Sequence, residues 1–307
     1  MIRNASGSGR YSVEQSGASP NNISPSMLLT VTTTDTPAAG EFYGVEQRVE
    51  GYVLAPSAIG SSTAKALTLS FYVRSSLTGT YCCSFRNAAA DRSFVAEYTI
   101  SAANTWEFKT IQIAAKTDGT WNTTNTVGAY VDWCLGSGGN FEGSTGWQNT
   151  NVVATSNQVD WINTSGATFY LTGVQLELGE KVSPFEFMSY GDVLARCQRY
   201  FEKSYNQGTA PGTGAGDFTG SYQARDGTAS TVVRYYPVTY KVTKRANPTV
   251  VIYNPQTAAS GGMRLDSNNK SASVSANGDA NMMVFSNDSS IPSHFGAFFH
   301  YTLDAEL

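Results

Sequence analysis

The chain has 307 residues, of which 14% are charged and 41% hydrophobic, and a formal net charge of −4. A charged fraction well under the roughly 25% of ordinary soluble domains, beside an ordinary apolar fraction, excludes wholesale disorder. There is no basic run, so an electrostatic nucleic-acid footprint is excluded as well. No apolar run approaches the ~18 residues of a membrane-spanning helix, and MIRNASGSGR lacks the apolar core of a signal peptide, so neither membrane insertion nor export by that route is expected.

In chain order, residues 1–25 are polar, with only Tyr11, Val13 and Ile23 offering strand character, and the first clear strand begins at Met27. Phe42–Val53 holds no clean period of two, which predicts an irregular or bulged strand. Leu67–Arg74 alternates strictly: Leu67, Leu69, Phe71 and Val73 face one way, Thr68, Ser70, Tyr72 and Arg74 the other. Thr80–Phe85 and Ser93–Ile100 follow as strands. In Trp106–Ala114 the apolar phase switches from Trp106 and Phe108 to Ile111 and Ile113, and one inserted residue near Lys109 or Thr110 would reconcile the halves, which predicts a bulge. Ala129, Val131, Trp133 and Leu135 alternate again, a Gly-rich loop spans 136–146, and a last strand runs from Thr168 to Leu178. Short strands with turns every 8–12 residues predict a β-sandwich, most simply a jelly roll.

Val193, Leu194, Cys197, Tyr200 and Phe201 recur at helical spacing, so Tyr190–Tyr205 is expected to be an amphipathic helix, with Asp192 in its first turn or as its cap. Leu194, Cys197, Tyr200 and Phe201 are the expected contact stripe, toward either the sandwich or further copies of the chain. Residues 207–220 read as a flexible connection. Strands follow at Thr231–Lys241, Thr249–Tyr253, Met282–Phe285 and Phe295–Leu303. The expectation is a mainly β chain: a jelly-roll sandwich over 1–187, a connecting helix over 188–206, and a smaller C-terminal β-domain over 207–307 that borrows the helix or a neighbouring chain to close its core.

Little in the chain points to catalysis. His294 and His300 are the two histidines, and no spacing joins either to a serine and a carboxylate. Glu97, Glu107, Asp132, Glu142 and Asp160 could pair as glycosidase carboxylates only as any chain of this size could. Cys82, Cys83, Cys134 and Cys197 form no CxxC pair; Cys82 and Cys83 point to opposite faces of a strand, so at most one could meet Cys134 in a disulfide, and buried free thiols are the better expectation, with no metal and no cofactor. Sugar binding is the better idea, because sugars stack on exposed aromatic rings flanked by amides. Trp121 with Asn122, and Trp147 with Gln148 and Asn149, sit beside turn or Gly-rich segments and are the candidates; the competing expectation is that each tryptophan seals the end of the sandwich. Trp106, Trp133 and Trp161 lie in strand-like stretches and are expected in the core.

Gly173-Val-Gln-Leu-Glu177, Gly179, Pro184-Phe-Glu186, Ser189-Tyr-Gly191 and Cys197-Gln-Arg-Tyr200 resemble the junction found in many bacteriophage and prophage tail-fibre-like proteins. Ser70–Gly79, the Trp106 strand, Leu135–Gly138, Trp147, Asn247–Tyr253 and Asp304–Leu307 fit the same pattern in order. The resemblance implies a carbohydrate-binding-like jelly roll on a virion appendage, assembled as a homotrimer. The implied partners are other virion proteins and a host-surface polysaccharide.

Overall fold

The computed structural model describes residues 2–4, 7–21, 23–225, 234–286 and 296–307. The expectations at His294, at Phe295 and at the start of the strand over 231–241 lie outside the described residues. The chain forms two compact units, Met1–Glu186 and Phe187–Leu307.

The strands of the first unit are β1 (Ile2–Asn4), β2 (Arg10–Ser16), β3 (Ser26–Thr33), β4 (Phe42–Glu50), β5 (Leu67–Ser75), β6 (Gly79–Asn87), β7 (Ser93–Ile100), β8 (Glu107–Ile113), β9 (Val127–Ser137), β10 (Gly146–Gln148) and β11 (Thr168–Leu178), with one turn of helix, α1 (Gly51–Leu54). They form a six-stranded sheet, β1-β4-β9-β6-β7-β10, and a five-stranded sheet, β2-β3-β11-β5-β8. Within them, β3-β11-β5-β8 and β4-β9-β6-β7 interleave eight strands between two antiparallel sheets in the order of a jelly roll. The inward residues of both sheets make one core in which Phe71, Tyr81, Phe85, Trp133, Trp161 and Phe169 are wholly enclosed. Phe71 meets Tyr98 and Trp133 edge-on, with centroids 5.2 and 5.6 Å away, the arrangement ring quadrupoles favour.

Three local features differ from the sequence reading. β2 is a full strand, because Tyr11 and Val13 alternate into the core although their neighbours are polar. The irregularity of β4 is a pair of bulges, at Tyr43/Gly44 and Val49/Glu50, and the chain then leaves the sheet as α1. A Cβ at Gly44 would lie 2.3 Å from the Trp133 carbonyl oxygen, so the first bulge requires glycine. The bulge expected in β8 is absent: β8 pairs β5 without interruption from Leu67↔Ile113 to Val73↔Glu107. Trp106 and Phe108 are out of phase with Ile111 and Ile113 because they lie on the outer face. Trp133 and Trp161 are core residues as expected, whereas Trp106 is half-buried outside the core.

The second unit contains α2 (Tyr190–Gln198), β12 (Phe201–Lys203), β13 (Tyr222–Arg225), β14 (Arg234–Thr239), β15 (Thr249–Tyr253), β16 (Gly262–Leu265), β17 (Asn268–Ser271), β18 (Ser273–Asn277), β19 (Asn281–Ser286) and β20 (Gly296–Asp304). The long β20 is its spine, pairing β12 and β13 along one edge and β15 and β16 along the other. A second sheet, β14-β19-β18, completes the packing. Between them lie Val238, Ile252, Met263, Leu265, Val284, Phe299 and Leu303. These two sheets close the core by themselves: α2 contributes no buried residue.

The helix is also shorter than its periodicity suggests. Ser189 caps it, accepting from the Asp192 amide, and Asp192 lies in its first turn. It stops at Gln198 because the next residues are claimed by β20: the Tyr200 carbonyl accepts from the Ala305 amide, and Phe201 pairs with Asp304. Tyr200 and Phe201 therefore lie beyond the helix, not on its face. The Gly-rich 207–220 segment is a run of turns tied to its own unit, with Lys203 donating to the carbonyls of Gln207 and Thr209 and Gly216 to that of Pro255. Among the described residues no helix is long and apolar enough to cross a membrane.

Candidate functional site

At one end of the sandwich the structure brings Trp121 and Trp147 together. Their centroids are 5.8 Å apart, edge to face, and Trp121 stacks on Phe85 at 5.7 Å. Trp121 is 8% exposed and donates its Nε1–H to the Asp118 carbonyl. Trp147, half-buried, packs on Phe94 and donates to the Ala114 carbonyl at 2.7 Å, with Lys116 above its ring. Their amide neighbours are occupied locally. Asn122 donates to the Val127 carbonyl, and Gln148 is bound on both sides of its amide to the Ser144 backbone, while Asn149 is exposed. The tryptophans thus close the end of the core, and their ring faces are largely taken by protein.

The outer face of the six-stranded sheet carries charge. Arg86 holds Asp132 through Nε at 2.9 Å and Nη2 at 3.0 Å, reaches Glu46 at 3.4 Å, and donates to Asn151 at 2.8 Å. Glu46 in turn meets Arg48 at 3.3 Å, so four charges alternate in sign and sum to zero. Tyr130 lies under both guanidinium groups, 5.3 Å from Arg86 and 6.0 Å from Arg48. Burial alone would lower the Arg86 pKa, but the Asp132 and Glu46 carboxylates outweigh it and hold the guanidinium charged. This face is covered: Phe141, Val152, Val153 and Ala154 pack onto Phe42, Cys82, Val95 and Cys134. Cys82 and Cys134 are direct cross-strand neighbours under that cover, and burial pushes the Cys134 thiol up to about 12. All four cysteines are free, Cys82, Cys83 and Cys134 buried as expected, whereas Cys197 is exposed because α2 buries none of its residues.

The outer face of the five-stranded sheet differs in chemistry and in access. Tyr72 of β5 stands opposite Phe108 of β8, with centroids 4.8 Å apart and Phe108 46% exposed. One step along, Arg74 stands opposite Tyr170 of β11, its Cζ 4.9 Å from the ring centroid. Trp106, level with Arg74 if the β5–β8 register is continued, meets Tyr170 edge-on at 5.8 Å. Four aromatic rings and one guanidinium therefore form two adjacent rows across three strands. Polar groups border them: Asn21 donates to the Tyr72 hydroxyl at 3.0 Å, and Thr110 and Gln112 are exposed farther along β8.

A glycine sets this surface. β11 bulges between Thr172 and Gln175, and Gly173 takes φ +59° there. A Cβ on it would lie 3.1 Å from Cδ2 of Tyr72, so the residue that permits the bulge also leaves room for the ring. The same bulge leaves Val174 exposed. Sequence reasoning missed this surface by bringing Trp106 and Phe108 into the core through a β8 bulge. The phase switch, taken without a bulge, was the signal, together with Tyr72 and Arg74 on the outward set of β5.

The second unit holds two buried polar clusters. Lys244 donates to Glu202 at 2.7 Å and to the carbonyls of Gln198 at 2.6 Å and Val242 at 2.8 Å, with both charged side chains fully enclosed. Three donors meet three acceptors, and the knot fastens the C-terminus of α2 to the unit. His300 is stacked on Tyr205 at 3.9 Å, with Nδ1 3.0 Å from the Ser204 hydroxyl and Nε2 3.1 Å from the Asp217 carbonyl. Burial lowers its pKa. Both ring nitrogens are in use and the ring is enclosed, which is a packing role.

No protein-family model matches the chain, and no curated protein is similar to it. Among solved structures, a tailspike protein of bacteriophage CBA120 is similar at 15% identity over 55% of this chain and 18% of its own, with a TM-score of 0.31. The CBM22-1 and GH10 modules of a Clostridium thermocellum xylanase are similar at 13% identity over 57% of this chain and 25% of theirs, TM-score 0.30. A family 11 carbohydrate-binding module of a Clostridium thermocellum cellulase is similar at 12% identity over 59% of this chain and 87% of its own, TM-score 0.27. The chain thus spans under a fifth of the tailspike's length. Likeness of this degree carries no weight, and the functional reading rests on the residues.

Proposed function

We propose that the chain is a glycan-recognising component of a phage virion appendage and that its first unit makes the sugar contact. The observation that supports this reading is the partly exposed outer face of the five-stranded sheet, where Tyr72, Trp106, Phe108 and Tyr170 lie beside Arg74 and are bordered by amides and hydroxyls. Pyranose rings stack their C–H faces on such aromatics while amide, hydroxyl and guanidinium groups take their hydroxyls. The virion setting and the homotrimer rest on the resemblance of the 173–200 junction, and three copies would turn weak single contacts into avidity. The mode of action is binding, with no cleavage. A glycan array with the purified chain tests the reading: wild type binds, and the Tyr72→Ala/Phe108→Ala double variant does not. If neither binds any surface polysaccharide even at high valency, the reading fails.

A second, architectural reading has its own support. In the second unit Phe187, Met188, Tyr190, Val193 and Phe201 are all exposed, a cluster of large apolar side chains along 187–201. A connector whose surfaces meet other virion proteins would use such a segment. Mass in solution separates the two: association lost on Tyr190→Ser/Val193→Ser, without any glycan binding, favours architecture.

A further inference from the structure

We infer that the aromatic face of the five-stranded sheet takes an acidic polysaccharide, with Arg74 as the receptor for its carboxylate; this rests on the glycan reading above and names the substrate class. The other charged groups near this face are engaged elsewhere or distant: Glu177, farther along β11 and level with Thr68, accepts from Ser183. Glu107 and Lys109, on the same strand as Phe108, are paired with each other on the opposite face of β8. Glu14 of β2 shares the row of Arg74 through Leu28 and Tyr170, three strand spacings or roughly 14 Å away. Among the described residues Arg74 has neither an ion pair nor a hydrogen bond; its one partner is the Tyr170 ring, and its Nε is buried without an acceptor.

That combination is unusual for this chain. Arg86 and Arg48 on the other sheet meet carboxylates, and Arg92 meets Asp91 and Asp118. A guanidinium stacked on a ring is pre-oriented, and its planar fork matches a carboxylate in two parallel hydrogen bonds. The rings on either side supply the stacking half of the contact: Trp106 and Tyr170 in the row of Arg74, Tyr72 and Phe108 one row along. Adjacent rows on one strand are two residues apart, roughly 7 Å. A uronate whose carboxylate sits on Arg74 therefore sets its own ring, or that of the next residue, over the neighbouring aromatic pair. A neutral glycan would offer the guanidinium hydroxyl oxygens only, with no opposite charge in a matching fork.

The test measures binding of the full chain to an acidic set (polygalacturonate, alginate, hyaluronan, polysialic acid) and a neutral set (fully methyl-esterified pectin, dextran, xylan), at low and at raised salt. The expected result is binding to at least one acidic polymer, at least tenfold tighter than to the neutral set and weakened by salt. Arg74→Gln should abolish that preference, Arg74→Lys should restore it in part, and Tyr72→Ala/Phe108→Ala should abolish binding. Thermal unfolding of each variant checks that the sheet is intact. Equal affinity for both sets, or an unchanged Arg74→Gln, overturns the acidic class and leaves glycan recognition standing. Binding to neither set overturns the acidic class, and binding to no polysaccharide on the array as well overturns glycan recognition. Concentration-dependent association of the free chain that Tyr72→Ala/Phe108→Ala removes would make this face an interface between copies and also overturns the inference.

Discussion

The two outer faces of the sandwich solve the problem of exposed strand surface in opposite ways. On the six-stranded sheet a charged cluster stands beside the outward Phe42, Cys82, Val95 and Cys134, and residues of the 139–160 segment cover this face, so Arg86, Asp132 and Glu46 form with Arg48 a closed, charge-balanced network. On the five-stranded sheet the outward residues include the two aromatic rows, with Phe108 exposed and Tyr72, Trp106 and Tyr170 partly exposed, while Thr68, Ser70 and Thr172 of the same face are buried. The face with the ion network is thus the covered one, and the face with the aromatic rows keeps partial contact with water. Charge under cover must be paired, because an unpaired ion there keeps its full desolvation cost. Aromatic rings left partly in water gain less from folding than rings enclosed in the core.

The contrast can be broken most sharply at Arg86. Arg86→Met leaves Asp132 and Glu46 buried without their cation and is expected to cost about 3–5 kcal/mol in urea unfolding. Neighbouring residues of β5 and β8 sharpen the comparison. Phe71→Ala, in the core, is expected to cost about 3–5 kcal/mol. Phe108→Ala, on the open face, should cost about 1 kcal/mol or less while removing glycan binding. If Phe108→Ala destabilises as much as Phe71→Ala, that face serves the fold and not a ligand. Gly173→Ala should cost about 1–2 kcal/mol, from left-handed backbone strain, and should shift the Tyr72 ring resonances in NMR.

The smallest expected effect is on the second unit and depends on pH. His300 is buried with its pKa lowered, so the folded state prefers the neutral ring. Below the ordinary value near 6.5 the unfolded chain takes up a proton that the folded chain resists, and stability falls as pH drops from about 6.5 toward the folded value. Thermal unfolding at pH 7.5 and 5.5 should show this loss, and His300→Gln should reduce it. Equal pH dependence in wild type and variant would show that His300 does not set it.

Much of the fold was legible because strand alternation is a local signal. Leu67–Arg74 gave its own faces, Trp133 and Trp161 were assigned to the core, and the irregularity of β4 showed in its broken period. The helix was readable in place but not in length, since Tyr200 and Phe201 keep helical spacing yet are drawn into the ladder with β20. The aromatic face was missed for a related reason. Alternation tells which residues share a side of a strand, and it does not tell which side faces the core when both sides carry apolar residues.

The sequence by itself determined the β class, the sandwich, most strand positions and the start of α2, because these follow from periods of two and from turn and cap chemistry. Only the tertiary structure decided which face is open and which is closed. Trp121 and Trp147 were drawn together from 26 residues apart to close one end, and Tyr72, Arg74, Phe108 and Tyr170 became neighbours through three strands distant in the chain. Register across the sheet sets such juxtapositions. Register depends on the Gly173 bulge and on an uninterrupted β8, neither of which any single stretch of the chain can reveal.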